Sequence, residues 1–331
     1  MASNSEYDNA TKWLEDCRRP LLLTHRGPDG DALGGLAALA GALRQRGQSP
    51  QVALYEPLPR RYELLADAAD WQMWESSRAA LEASCDAVVV LDTCAYTQLE
   101  PVADFLPQAP RTLVLDHHAT RDAVGTRPGD LRLIDEEAAA VCVLIAEWAW
   151  RAGVRLDGPL ATPLLVGIGT DCGWFRFANT DARTLQVAAK LVAAGAQPDG
   201  IYASIYERDT PERLRLAGRV LDSLELHAGG RLAVMYLRLA DFAALGMDAT
   251  DTEDLVNEAR RLGSAEAAIL FTEQPDNIRI NFRSKGALDV SALARQFGGG
   301  GHTRASGARV RAEWDECVRA VVTAACAALG A

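Results

Sequence analysis

Residues 113–118 read Leu-Val-Leu-Asp-His-His, a short apolar run that ends abruptly in one carboxylate and two imidazoles. A buried strand that delivers three ionisable side chains at its last residues presents a site. Three further apolar runs end in the same manner: 21–24 leads into His25, Asp29 and Asp31, 87–91 into Asp92, and 164–170 into Asp171. Ligands in open α/β sheets gather outside the carboxyl ends of parallel strands, so four such strands would carry all these groups to one edge. The five carboxylates would repel one another there, and a desolvated charge costs several kcal/mol unless it is paired. Two divalent cations nearly meet that charge. A donor set rich in oxygen with some imidazole suits Mn²⁺ first, with Mg²⁺, Fe²⁺ or Zn²⁺ as alternatives. Asp29 and Asp31, two apart in a turn, can face neighbouring ions, and a single carboxylate such as Asp92 can bridge ions about 3.5 to 4 Å apart. Such a pair polarises a phosphoryl oxygen and brings a shared water near neutral pKa, so phosphoester hydrolysis would need no side-chain nucleophile.

Each residue also has a plain structural reading. An Asp after a strand is often a helix N-cap, and a lone His is often half-buried packing. Joint occurrence weighs against coincidence: of the chain's 5 histidines, only His227 lies outside these motifs and the glycine-rich loop, and it is read as an ordinary surface or core histidine. That loop, Gly298-Gly299-Gly300-Gly301 followed by His302, would let backbone amides converge on an anion. Arg283 and Ser284 end the strand before it, and together these residues read as a phosphate and base clamp. Between 279 and 311 seven basic residues face a single acid, Asp289.

The elements that must position these groups alternate. A short helix over 7–19 precedes a strand at 21–24, a Gly-Pro turn and a small-residue helix over 32–46; strands follow at 51–55, 87–91, 112–115, 131–134 and 164–169, with a helix over 136–152. Alternation of that kind predicts a mainly parallel sheet covered on both faces. After a helix from 182 to about 194, residues 191–218 form a helical connector. Strands at 231–237, 267–272 and 278–283, helices over 252–262 and 290–297, and a last helix over 313–329 make a second α/β region. The expected domains are therefore 1–190, carrying the metals, and 219–331, carrying the clamp. A length of 331 residues accommodates both. The longest apolar stretch, 138–146, falls far short of the about 20 residues that span a bilayer, so no membrane association and a cytoplasmic location are expected. Seven cysteines without paired spacing give neither a disulfide framework nor structural zinc. A net charge of −11 offers no general attraction for a long duplex.

With both stretches in hand, the chain resembles the DHH/DHHA1 phosphoesterase family, and within it the NrnA-like nanoRNase and pAp phosphatase branch more than the larger RecJ exonucleases. His25-Arg-Gly-Pro-Asp29-Gly-Asp31-Ala-Leu-Gly matches the first motif, Val-Leu-Asp92 the second, Asp116-His117-His118 the third and Gly-Thr-Asp171 the fourth, while 298–302 matches the DHHA1 signature. Gly35, where a Ser is usual, and Cys172, where a Thr is more frequent, depart from the pattern; Cys172 and Cys94 are read as packing thiols. The resemblance covers nearly the whole chain and implies an α/β fold: a mainly parallel sheet in a DHH domain, a smaller α/β DHHA1 domain, and a cleft between them.

It further implies that His25, Asp29 and Asp92 hold one Mn²⁺ and that Asp31, Asp92, His117 and Asp171 hold the other. His118 would contact the scissile phosphate, with Asp116 acting from behind the ligands, so that Asp92, Asp116 and His118 form the catalytic group. Arg283, Ser284, Gly298, Gly299, Gly300, Gly301 and His302 would grip the substrate's other phosphate or its base. The implied reaction is hydrolysis of short oligoribonucleotides to mononucleotides and of 3′-phosphoadenosine 5′-phosphate (pAp) to AMP, by an enzyme that self-associates as a homodimer. Three rivals stand beside it: a phosphodiesterase for linear or cyclic dinucleotides such as pGpG, pApA or cyclic di-AMP; a nucleotide-binding regulator without catalysis, which the intact ligand set opposes; and an inorganic pyrophosphatase, which the glycine-His signature disfavours.

Overall fold

The computed structural model describes residues 2–119, 121–248, 252 and 254–330, and of His302 the backbone alone. The chain divides into two compact units, Met1–Arg208 and Asp209–Ala331. The division falls inside the stretch expected to connect the domains, and each half of that stretch is packed into its own unit, as described below.

In the first unit the order is α1 (Asn4–Glu15), β1 (Pro20–Leu23), α2 (Gly30–Gln45), β2 (Gln51–Leu54), β3 (Trp71–Met73), α3 (Trp74–Ser84), β4 (Ala87–Leu91), β5 (Thr112–Asp116), β6 (Leu131–Ile134), α4 (Val141–Arg151), α5 (Gly158–Asp171), α6 (Ala182–Ala193) and α7 (Pro198–Tyr206). The strands form one parallel sheet in the order β3-β2-β1-β4-β5-β6. Strands covered on both faces read as unbroken apolar runs, because successive side chains point to opposite sides and both sides are dry. Accordingly Leu22 joins the core under α2, α4 and α5, whereas Leu21 and Leu23 join the core on the α3 side. Ile201 and Ile205 of α7 belong to the former.

One strand was expected where a helix stands. Residues 164–169 lie in α5, so three of the four acid-tipped runs are strands and Asp171 is delivered by the last turn of a helix. A short run that is apolar throughout has no period to read, and burial on all sides makes strand and helix look alike in sequence. The close approach of α2 to α5 is what α5's environment requires: a Cβ on Gly34 would lie 2.2 Å from the Pro163 carbonyl oxygen.

The second unit runs α8 (Pro211–Asp222), β7 (Glu225–His227), β8 (Leu232–Leu237), α9 (Leu239–Leu245), β9 (Ala267–Glu273), β10 (Ile278–Ser284), α10 (Val290–Arg295), β11 (Gly300–His302), β12 (Ala305–Val310) and α11 (Trp314–Ala328). Its sheet, in the order β11-β12-β10-β9-β8-β7, is antiparallel except for the β8–β9 pair. On β10, Ile278, Ile280 and Phe282 face α10 and α11, leaving Arg279, Asn281 and Arg283 on the other face. Leu216 and Val220 of α8 pack into the core on the opposite side of the sheet. The helix expected over 252–262 is a 3-10 stretch, Leu255–Arg261, and the glycine loop expected at 298–301 runs straight into the hairpin β11–β12. Among the described residues no helix is long and apolar enough to cross a membrane.

Candidate metal centre

Each acidic or imidazole group sits where an element ends. Asp29 caps α2, its Oδ1 accepting the amides of Asp31 at 2.9 Å and Ala32 at 3.1 Å. The plain reading of an N-cap and the reading of a metal ligand thus hold for one residue, because a carboxylate has a second oxygen to offer. Asp31, in the first turn of α2, is 1% exposed. Asp92 follows β4 with a left-handed backbone, φ +62°. Such a conformation costs on the order of 1–3 kcal/mol in a non-glycine residue and persists where surroundings over-determine it, often at functional sites.

These groups converge. Ligating atoms of His25, Asp29 and Asp92 lie within 4.8 Å of one another, as do those of Asp31, His117 and Asp171, and those of Asp92, His117 and His118. Asp92 and His117 are the shared members. His117 Nε2 stands 3.3 Å from Asp92 Oδ1, 3.6 Å from Asp171 Oδ2 and 3.8 Å from Asp31 Oδ2, and His25 Nε2 stands 3.6 Å from Asp92 Oδ2. The other ring nitrogens are anchored to backbone: His25 Nδ1 is 2.9 Å from the Arg26 carbonyl and His117 Nδ1 is 3.1 Å from that of Ala138. A donor bond from Nδ1 leaves Nε2 as a lone-pair donor, the usual arrangement of a metal-binding imidazole.

Asp116 is fully buried and organises the turn that carries His117 and His118. Its Oδ1 accepts the amides of His117 and His118 and the Nδ1–H of His118, at 2.8, 3.1 and 2.8 Å. That bond sets the plane of the His118 ring. Sequence reasoning missed the supports: on the main chain, the Arg26 and Ala138 carbonyls and the amides of Val141 and Cys142 on Asp31, and from a side chain, the Asn179 Nδ2, which donates to the carbonyls of Ala139 and Asp171. Cys172 is buried, its sulfur accepting the Phe175 amide, and Cys94 is buried likewise, so both are packing thiols.

Divalent cations fit this donor set. Asp92 Oδ1 is buried and no donor meets it with hydrogen-bond geometry, His117 Nε2 standing 3.3 Å away, a costly state for a carboxylate oxygen unless positive charge faces it. Burial would lower the histidine pKa values, but Asp92 and the neighbouring carboxylates reverse this, holding His25 up to about 9 and His117 up to about 10. Burial, then the Asp92 charge, raises Asp31 to about 7 and lifts Asp29 as well; burial and the Asp31 charge raise Asp171. The Asp92 carboxyl is held well below its usual range, burial being outweighed by the imidazoles around it. Protons here do what cations would do.

The second group of expected residues is arranged otherwise than the sequence suggests. Arg283 Nε donates to Asn257 Oδ1 at 3.2 Å. Ser284 is 1% exposed and its hydroxyl closes a turn to Gly286, away from any open face. The amides of Gly298 and Gly299 are spent on the carbonyls of Arg295 and Ala294, and Gly300 and Gly301 pair with β12. The run is a helix exit and a hairpin edge, so its four amides do not converge as a nest. The His302 side chain lies outside the described residues. A cavity of about 350 Å³ beside the run is lined by Arg279, Asn281, Gly298, Gly299, Gly307 and Arg309, among others.

Comparison with known proteins identifies the family and the fold. The N-terminal domain model of the DHH family matches residues 21–168 and the DHHA1 domain model matches 229–330. The bifunctional oligoribonuclease and PAP phosphatase NrnA of Thermus thermophilus is 30% identical over 295 residues, covering 88% of this chain and 83% of that protein. The NrnA of Bacillus subtilis is 28% identical over 304 residues, covering 90% and 91%. The crystal structure of an exopolyphosphatase-related protein from Bacteroides fragilis has the same fold, with a TM-score of 0.92 at 23% identity over 98% of this chain and 96% of the other.

Proposed function

We propose, from the premise that this chain belongs to the DHH family and carries a DHHA1 domain, that it is a hydrolase releasing mononucleotides from very short oligoribonucleotides and AMP from pAp. The observation that carries this reading is the convergence of three donor groups on Asp92 and His117 around a buried carboxylate oxygen that no donor meets with hydrogen-bond geometry. Relatives named for both activities support it. His25, Asp29 and Asp92 would hold one divalent cation and Asp31, Asp92, His117 and Asp171 the other, with Mn²⁺ favoured by the mixed oxygen and imidazole donors. Bound there, the cations would polarise the phosphoryl group and sharpen a water for in-line attack.

The chain's own contribution is orientation. The Arg26 and Ala138 carbonyls aim the two Nε2 atoms inward, and Asp116 holds the His118 ring for contact with the scissile phosphate. Arg283 and the cavity beside the glycine run would bind the substrate's other charged end. Substrates of this kind support a cytoplasmic location for the activity.

The test is a panel with purified protein and Mn²⁺: pAp, dinucleotides, a five-nucleotide RNA, a long single strand, pGpG and pyrophosphate. Turnover of pAp and the short RNAs is expected to exceed that of the long strand and of pyrophosphate; pyrophosphate as the best substrate would overturn the reading. For Arg283→Ala a KM raised about 10- to 100-fold is expected, the loss of one charge-assisted bond, with metal content intact. Loss of bound metal in that variant would mean Arg283 has been given the wrong role.

A further inference from the structure

Helix α4 begins without a capping side chain of its own, and its first amides are satisfied by a residue more than a hundred positions earlier. The Val141 amide donates to Asp31 Oδ2 at 2.5 Å and the Cys142 amide to Asp31 Oδ1 at 3.0 Å. The Cys142 thiol donates to the Asp31 carbonyl at 3.5 Å. Both carboxylate oxygens are thereby pinned, each keeping a further lone pair, and the positive end of the α4 dipole favours the charged form.

The third wall of this seat is a missing side chain. A Cβ on Gly167, in the middle of α5, would lie 2.7 Å from Asp31 Oδ1 and 2.3 Å from Cys142 Sγ. Glycine is a poor helix former, and its presence inside a buried helix runs against local propensity. Neither contacted atom can move away cheaply: Cys142 is wholly buried, and Asp31 Oδ1 is fixed by the Cys142 amide.

We infer that Gly167 is a positioning residue of the metal centre: the space above its Cα lets Asp31 rest on the α4 amides with Oδ2 turned toward His117, 3.8 Å from its Nε2. This rests on the reading of Asp31 as a cation ligand. Its consequence is asymmetric, because the atoms nearest a Cβ at Gly167 belong to Asp31 and Cys142 and not to the group of His25, Asp29 and Asp92. Crowding at Gly167 weakens one cation of the pair and spares the other.

Mn²⁺ titration calorimetry and thermal unfolding in chelator, on the full chain, test this with wild type, Gly167→Ala, Cys142→Ala and the double variant. Wild type is expected to bind a pair of cations, and Cys142→Ala to bind them nearly as well, since the backbone amide remains. Gly167→Ala should bind one cation normally and the other at least about tenfold more weakly, the size of effect that an outer support typically has. In the double variant the sulfur contact is gone but the contacts with Asp31 Oδ1 at 2.7 Å and with the Cβ at position 142 at 3.0 Å persist, so thermal stability should recover in part while the weak affinity stays weak. Affinity that recovers together with stability would reduce Gly167 to packing and overturn the inference, as would a Gly167→Ala protein that binds both cations like wild type. Should Gly167→Ala not fold, the double variant makes the same comparison. Wild type binding no pair would instead sink the metal-centre reading itself, and the inference with it.

Discussion

Asp92→Asn is expected to lower Mn²⁺-dependent release of mononucleotides from a dinucleotide by on the order of 10³-fold or more, while leaving the fold intact. Asp92 belongs to two of the three donor groups and is 2% exposed, so no solvent can replace its charge. Under the proposed assignment its loss would act on both cations at once, which exceeds the about 10- to 100-fold cost of removing an outer support. Asparagine is the sharper probe than alanine. It keeps the volume and tolerates the left-handed backbone at φ +62°, so the result reports charge and coordination rather than strain. Turnover close to wild type in a variant confirmed by mass would refute the bridging role. His117→Ala, which removes the other shared member, should come close to the same loss.

How much of this was legible in the sequence differs from residue to residue for physical reasons. The strands β1, β4 and β5 could be read because dry sheets leave unbroken apolar runs, and their ends could be read because acids and imidazoles follow several such runs in one chain. Asp171 was placed in the right company on the wrong element. The run before it is apolar at every position, and a helix buried on all sides leaves no period to distinguish it from a strand. Arg283 was placed on its strand, but Ser284 next to it points to the opposite face, which a change in pleat register alone decides. The glycine run had a conformational signature without a partner: that Gly300 and Gly301 would pair with β12 depends on residues 305–310, whose short alternation Ser-Gly-Ala-Arg offers little β signal. The supports of the centre were invisible for a different reason. Apart from the Asn179 side chain, they are main-chain amides and carbonyls, present at every position and informative only once folded.

The last expectation concerns pH, and its sign follows from three groups. His25 at about 9, His117 at about 10 and Asp31 at about 7 are all held above their ordinary values in the folded chain. For the imidazoles, the stabilisation is fully present below about 6.5 and is lost as pH rises through 9 and 10. For Asp31, the folded chain binds its proton more tightly than the unfolded one, so stability falls as pH rises from about 4 through 7. In chelator, thermal stability should thus decline from about pH 4 to pH 10. Divalent cations held there would take over the work of these protons, and binding would have to expel them. At pH 7 His25 and His117 are each to release one, and Asp31 a fraction of one. Affinity for the pair taken together should then fall about 100-fold for each pH unit between 9 and 7, tenfold per displaced proton, and more steeply below 7, where Asp31 adds its own. Calorimetry in buffers of different ionisation enthalpy counts the protons, and unfolding curves with and without Mn²⁺ should diverge as pH rises. Cation binding at pH 7 with no proton release, or a chelated protein that gains stability between pH 5 and 9, would show that the imidazoles and carboxylates around Asp92 are not the groups the cations meet.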